Sequence, residues 1–395
     1  MALPLNPAIA RTSPPPVMEA RRWVEGRAFA PERPLINVSQ AAPVDPPPER
    51  LRAEMARLVT EDAGAHLYGP VLGLPALRET VAARWSEQYG GRVAPSQVAI
   101  TAGCNQAFAT AVATLAGPGD NVLLPVPWYF NHKMWLDQSG VEARPLSAGP
   151  GLVPRAQDAA ALLDARTRAI ALVSPNNPAG VEYPPETLRA FFELARERGV
   201  ALLLDETYRD FHSRPDPVHD LLSEPGWDGT LILLYSFSKA YRLTGHRVGA
   251  LLASEARLAQ AEKILDTVTI CAPQLGQRAA LWGMRHLRQW LAGERAEVLA
   301  RADAMRAAVA GLPGWEVEGL GAYFAYLRHP FDAPSDAVAR ALVEGAGVLA
   351  LPGTMFAPEG EGERHLRVAF ANLDADGIAR LAGRLADVTR TGLRG

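Results

Sequence analysis

Short apolar runs separated by amphipathic stretches dominate the middle of the chain. VAITAG from Val98, NVLLPVP from Asn121, AIALVSP from Ala169, ALLLD from Ala201, LILLYS from Leu231 and RVGALLA from Arg247 each read as a buried strand. Between them apolar residues recur at helical spacing, as in QAFATAVATLA and PPETLRAFFELARERG. Strands that are apolar on both faces and alternate with helices predict a mostly parallel sheet covered by helices on both sides, an α/β fold. Ligands in open sheets of this kind bind beyond the carboxyl ends of the strands. The residues just after each run are therefore where chemistry is expected.

The flanks have other patterns. Residues 1 to about 34 are rich in proline and poor in periodic apolar positions, which predicts an extended arm lying on another surface or, equally, a partly disordered terminus. Leu35–Val38 reads as a short strand and SQAAPVDPPP as a turn and linker, and ERLRAEMARLV after Pro48 has helical spacing. From Pro273 to Ala310 one long helical pattern runs far enough to join two domains. Beyond it, GAYFAYLRH, a helix from about Ser335, VLALPG and HLRVAFAN predict a smaller α+β unit. The expected division is an arm and small-domain strand over 1–45, a large domain over 46–275, a connecting helix over 276–310 and a small domain over 311–395.

A length of 395 residues suits about two domains. A net charge of −3, with no basic run, gives no electrostatic footprint for nucleic acid and points to small-molecule partners. No apolar run reaches the ~18 residues of a membrane span, and prolines interrupt the stretch where a signal peptide would sit. Cys104 and Cys271 lack CxxC spacing, which argues against a metal or disulfide framework and fits the cytoplasm.

Lysine usage changes the picture most. Of 40 basic residues three are lysines, Lys133, Lys239 and Lys263. Lys133 and Lys263 lie in helical runs, whereas Lys239 follows a strand and is flanked by Ser236 and Ser238, with Arg247 eight residues on. An amine for a Schiff base beside hydroxyls and a guanidinium for a phosphate is the chemistry of a pyridoxal-phosphate site. The other strand ends complete it. Asp205 can keep a pyridine nitrogen protonated, Tyr208 and Asn177 can hydrogen-bond a phenolic oxygen, and Tyr129 can stack on a flat ring. The amides of Gly103, Cys104 and Asn105 open a helix, a ready anion site. Singly these residues are also ordinary: Asp205 a cap, Asn177 a turn residue, Tyr129 a core aromatic.

TAGCNQAF, PWYFNH, SPNNPAG, DETY and SFSKAYRLTGHRVG, in this order, resemble the motif set of class I/II aminotransferases, the fold type I pyridoxal-phosphate enzymes. The resemblance implies a large domain with a mostly parallel seven-stranded sheet between helices, plus a smaller α+β domain. It implies pyridoxal 5′-phosphate on Lys239, with Asp205 on the ring nitrogen, Tyr208 and Asn177 on the phenolate and Tyr129 stacked. Ser236, Ser238, Arg247 and the Gly103–Asn105 amides would hold the phosphate. It further implies Arg367 on the substrate α-carboxylate and a homodimer in which Tyr68 reaches the neighbouring subunit's phosphate. Ala41 stands where the family commonly has glycine, so a methyl group is expected to narrow the pocket. The activity implied is ping-pong transfer of an amino group between an amino acid and a 2-oxo acid.

Trp23, Tyr68, Trp128, Tyr323 and Phe356 are the aromatics expected to line the side-chain pocket, which leans toward apolar, aromatic or methionine-like substrates. Two competitors use the same motifs: elimination or decarboxylation on the same cofactor, and a non-catalytic module of a regulator. No basic helix-turn-helix segment supports the second.

Overall fold

A computed structural model describes residues 3–393. The arm is not extended as the proline content predicts: Pro7–Arg11 and Pro16–Arg22 are short helices. Both open on a proline, and proline at the first helical position sacrifices only an N–H that has no intrahelical partner. The Asn6 side chain caps the first helix by accepting from Ala8 N at 3.0 Å. The chain then forms strand β1 (Ile36–Asn37).

Seven strands build the large sheet: β2 (Val98–Thr101), β3 (Asn121–Val126), β4 (Glu142–Ser147), β5 (Thr167–Val173), β6 (Ala201–Asp205), β7 (Leu231–Ser236) and β8 (Gly249–Leu252). Their spatial order is β2-β8-β7-β6-β5-β3-β4. β8 runs antiparallel to both neighbours and every other adjacent pair is parallel. The mostly parallel seven-stranded sheet is thus as expected, yet hydrophobic runs locate only six of its strands. The seventh, EARPLS, is β4, an edge strand bonded to β3 alone, with Leu146 its one buried residue. An edge strand needs no apolar run and tolerates a proline such as Pro145.

Alternation along the strands splits the core in two. Ile170, Leu172, Leu202, Leu204, Leu231 and Leu233 pack with Trp85, Phe191 and Phe192 on one face. Ala169, Ala171, Leu203, Ile232 and Leu234 pack with Phe108, Leu258 and Leu265 on the other. Each fully buried large apolar side chain contributes about 1.5–3 kcal/mol, which keeps the strand ends rigid where the site is built.

A second core forms around the remaining strands, β9 (Glu316–Gly321), β10 (Phe324–Arg328), β11 (Val348–Leu349), β12 (Leu351–Pro352) and β13 (His365–Val368). Four of them make an antiparallel sheet in the order β12-β13-β10-β9, and β1 pairs in parallel with β11. Val38 N donates to Leu349 O at 2.9 Å and Ala369 N to Val38 O at 2.8 Å, so residues 36–38 are stitched into this unit just before the chain turns toward the large sheet.

The long helical pattern is two helices, Gln274–His286 and Arg288–Ala310, broken at Leu287 (φ −113°, ψ 19°). The break has a packing reason. Ala279, Ala280, Met284 and Leu287 join the large-sheet core, whereas Val298, Ala302 and Met305 join the second core. One straight helix would have to present its apolar stripe to both. Among the described residues no helix is long and apolar enough to cross a membrane.

Candidate active site

The carboxyl edge of the sheet opens into a cavity of about 330 Å³. The residues expected from the sequence to hold the cofactor and the α-carboxylate line it, save Gly103 and Tyr68. The strand ends deliver them: β5 leads to Asn177, β6 ends on Asp205, β7 ends on Ser236, and the helix Cys104–Ala113 starts after β2.

Ser236 is also the N-cap of the short helix Phe237–Ala240, its hydroxyl accepting from Ser238 N at 3.3 Å. That turn sets Lys239 facing the cavity, where its Nζ donates to Ala41 O at 2.7 Å. Burial, followed by the charges of Arg247 and Arg367, lowers the Lys239 pKa from 10.5 to about 8. Ala41 therefore meets the site through its carbonyl.

Gly103 lies behind the guanidinium of Arg247, and a Cβ there would run into Arg247 Nη2, while its φ of +92° is itself a conformation that suits glycine. Arg247 adopts a left-handed φ of +47° and donates to Thr244 O at 3.1 Å and Ala102 O at 3.4 Å. Both acceptors are neutral carbonyls. The positive charge remains available, beside the Ser236 and Ser238 hydroxyls and the first amides of the helix at Cys104, whose N–H groups have no intrahelical acceptor. Gly249 packs beneath: a Cβ there would lie 2.7 Å from Cys104 N. The set is shaped for a phosphate.

Asp205 is buried and accepts from Thr207 N at 2.9 Å, with His132 Nε2 3.3 Å from its other oxygen. Burial alone would raise its pKa; His132 and Thr207 outweigh this and lower it, so the carboxylate is charged. His132 stacks on Phe108 with 3.7 Å between ring centroids. His132 belongs to no motif of its own in the sequence; it lies three residues after Tyr129 on the helix Phe130–Ser139, within reach of the same strand ends.

Tyr129 donates to Asn105 Oδ1 at 3.3 Å and accepts from Asn131 Nδ2 at 2.8 Å, and burial pushes its pKa up to about 12. Burial also raises the Tyr208 pKa well above 10, so its hydroxyl stays a donor. Asn177 Oδ1 accepts from Arg367 Nη1 at 3.1 Å, which leaves the Asn177 NH₂ free to donate. Arg367 also donates to Ser39 O and sits over the rings of Phe356 and Phe324, at 4.9 Å and 5.2 Å. It is 2% exposed, its Nε has no partner among the described residues, and burial lowers its pKa to about 10. An enclosed guanidinium held only by neutral oxygens is costly until an anion joins it.

The expected pocket aromatics are corrected. Trp23, Trp128, Tyr323 and Phe356 do not line the cavity. Trp23 packs under Arg340, Trp128 lines a separate groove, Tyr323 backs Tyr208, and Phe356 is fully buried behind Arg367. Aromatic composition says nothing about which way a ring points. The cavity is lined instead by Phe130 and by arm residues such as Val17, Met18 and Arg21, which the expectation of an extended arm left out. Tyr68 is 79% exposed in a surface depression beside Cys271 and Gln274.

A charged carboxylate, a depressed amine, stacking and donor groups and a phosphate cradle on the walls of one cavity fit pyridoxal phosphate. The family model of aminotransferase class I and II matches residues 33–385. An aromatic aminotransferase of Arabidopsis thaliana is 31% identical over 353 residues, 86% of each chain. An arginine–pyruvate transaminase of Pseudomonas aeruginosa is 30% identical over 328 residues, 82% of each. The aspartate aminotransferase of Thermus thermophilus, solved with maleate, shares the fold with a TM-score of 0.89 at 23% identity, over 98% of this chain and 100% of that one. With a match that runs through both sheets and the cavity, the chain belongs to the class I and II aminotransferases, enzymes that depend on pyridoxal 5′-phosphate.

Proposed function

We propose that the protein moves an amino group between an apolar, aromatic or methionine-like amino acid and a 2-oxo acid, in a ping-pong cycle whose first product leaves before the second substrate binds. The observation that carries this reading is one cavity holding a lysine with a pKa near 8 and a buried arginine that no acid among the described residues neutralises. Val17, Met18 and Phe130 on its wall favour an apolar side chain, and the Arabidopsis relative is named for aromatic substrates. Overall, amino acid and oxo acid exchange an amino group for an oxo group, so atoms and electrons balance without a further reactant.

Bound in the cavity, pyridoxal phosphate supplies the electron sink that lets the Cα proton leave and the carrier for the amino group. Arg367 binds the α-carboxylate as a bidentate pair, and Asn177 holds that arginine in register. The Lys239 Nζ would take the Cα proton of the substrate and hand it on within the cavity, a task suited to an amine that is partly neutral near pH 8. Asp205, oriented by His132 and Thr207, keeps the ring nitrogen protonated. Tyr208 and the Asn177 NH₂ hold the phenolic oxygen, and Tyr129 covers the ring. Gly103, Cys104, Asn105, Ser236, Ser238 and Arg247 hold the phosphate. In this reading residues 46–275 carry the cofactor, 311–395 supply Arg367, and the 1–45 arm closes the cavity. The working unit is a homodimer in which the exposed Tyr68 reaches the neighbouring phosphate. The two free cysteines fit a cytoplasmic setting.

Substituting Lys239→Ala is expected to slow the half-reaction by about 10²–10⁴-fold or more, the worth of a positioned acid–base group, followed by the loss of the cofactor's absorbance on adding an amino acid; an undiminished rate would sink the lysine assignment. For Arg367→Ala the expected change is a rise of about 10²-fold in KM for amino and oxo acids alike, from loss of charge-assisted bonds, with the cofactor still bound. Unchanged steady-state constants would remove Arg367 from the substrate site.

In the apoprotein, Lys239 is protonated below about pH 8 and neutral above it, because its pKa has fallen from 10.5 to about 8. Labelling with an amine-directed reagent, read by peptide mass, should therefore rise at Lys239 through pH 8; a midpoint near 10.5 contradicts the depressed value. Sedimentation should give twice the 42.4 kDa chain mass. Tyr68→Phe should weaken cofactor binding about five- to tenfold, one hydrogen bond's worth; a monomer with unaltered affinity overturns the shared site.

A further inference from the structure

A second cleft, of about 150 Å³, opens one residue past Tyr208 and shares no lining residue with the cofactor cavity. Five arginines face it: Arg84 from the helix Pro75–Tyr89, Arg209 and Arg214 from the turns after β6, and Arg288 and Arg295 from the helix Arg288–Ala310. The proposed reaction uses none of them.

Two acids line the cleft as well, and both have other partners. Asp210 accepts from the Tyr235 hydroxyl at 2.6 Å, and Asp216 from Gln88 Nε2 at 2.9 Å. The arginines are held mostly by neutral oxygens. Arg84 donates to Met284 O at 2.6 Å, and Arg295 spans three successive carbonyls, His212 O at 2.7 Å, Ser213 O at 3.1 Å and Arg214 O at 3.0 Å. Only main-chain atoms of Arg214 are bonded, so its side chain has no partner among the described residues.

Arg209 is fixed more firmly than the rest. It is 5% exposed, and its guanidinium carbon lies 4.8 Å from the Trp85 ring centre and 4.7 Å from that of Tyr89. Its Nε donates to the Tyr89 hydroxyl at 2.8 Å and its Nη1 to Gln88 Oε1 at 2.7 Å. The Tyr89 hydroxyl in turn donates to the buried Glu206, which His219 also meets, at 3.1 Å. Arg209 Nη2 makes no hydrogen bond among the described residues, and Asp216 is 3.7 Å from it. A guanidinium locked on two rings with one edge unbonded presents its remaining donors in a set direction.

We propose that this cleft binds a single phosphate-type oxyanion, inorganic phosphate or the phosphate group of a monoester. Five arginines against two acids leave an excess of positive charge that a dianion answers better than a monoanion. Guanidinium forks match phosphate oxygens two at a time, and a cleft lined by one sign of charge concentrates the opposite ion. The volume is on the scale of one oxyanion, less than half that of the cofactor cavity. The proposal does not depend on the aminotransfer reading.

Calorimetry tests it on the holoenzyme, whose cofactor already fills the first phosphate cradle, with inorganic phosphate against chloride at matched ionic strength. One phosphate should bind per chain in this cleft. Arg214→Gln removes a charge and no side-chain hydrogen bond, and should weaken binding about tenfold or more, the worth of a charge-assisted contact. Arg84→Gln should do likewise, and Arg367→Ala, in the cofactor cavity, should leave the affinity unchanged. Glycerol 3-phosphate separates the two sources: tighter binding than phosphate assigns the cleft to a monoester, equal or weaker binding to the free ion. No binding beyond that of chloride, an affinity that neither Arg214→Gln nor Arg84→Gln moves, or one lost in Arg367→Ala instead, overturns the site.

Discussion

Positive charge without an acid to cancel it is the constraint on which the rest of this structure depends. Arg367, Lys239, Arg247 and Arg21 are held by oxygens that carry no net charge: the carbonyls of Ser39, Ala41, Ala102 and Thr244, the Gln40 side chain and the Asn177 side chain. Neutral acceptors fix a cation's geometry, whereas a carboxylate would also satisfy its charge and close the site to anions. The one acid on the wall, Asp205, is committed to His132 and Thr207. The cavity is therefore preorganised for anions, and burial of Lys239 among cations yields an amine that is partly neutral near pH 8.

Holding such a site rigid requires both cores. The large sheet fixes Asp205 and the Ser236–Lys239 turn through strands packed on both faces. The second core fixes Arg367 through β13, with Phe356 and Phe324 behind its guanidinium. Residues 36–41 bridge the two: hydrogen-bonded to β11 at one end, they deliver carbonyls to Arg367 and to Lys239 at the other. The helix break at Leu287 performs the same service on the opposite flank, letting one chain segment contribute to each core in turn.

The scarcity of lysine and the strand-end positions of Asp205, Asn177 and Ser236 made much of the candidate site legible before any coordinates, because the carboxyl edge of a parallel sheet is a topological consequence of the strand order. What stayed hidden obeys other physics. β4 lacks an apolar run because only one neighbour demands one. The arm's helices are short and proline-initiated, below the length at which periodicity shows. His132 acts through a side chain whose direction depends on the helix carrying it. Trp23, Trp128, Tyr323 and Phe356 were expected in the pocket on residue type alone, and their rings face cores or other surfaces instead.

The contacts of residues 39 to 41 alternate: the carbonyls of Ser39 and Ala41 serve Arg367 and Lys239, while that of Gln40 between them accepts from Asn372. All three are main-chain atoms, which every amino acid possesses. Positions 39 and 41 can therefore vary in residue type without altering the oxygen each cation meets, as alanine at 41 illustrates. Spacing is another matter. Adding or removing a single residue between Val38 and Ala42 would turn the wrong peptide group toward each cation, so this stretch is strict in length at positions where it is lenient in letters.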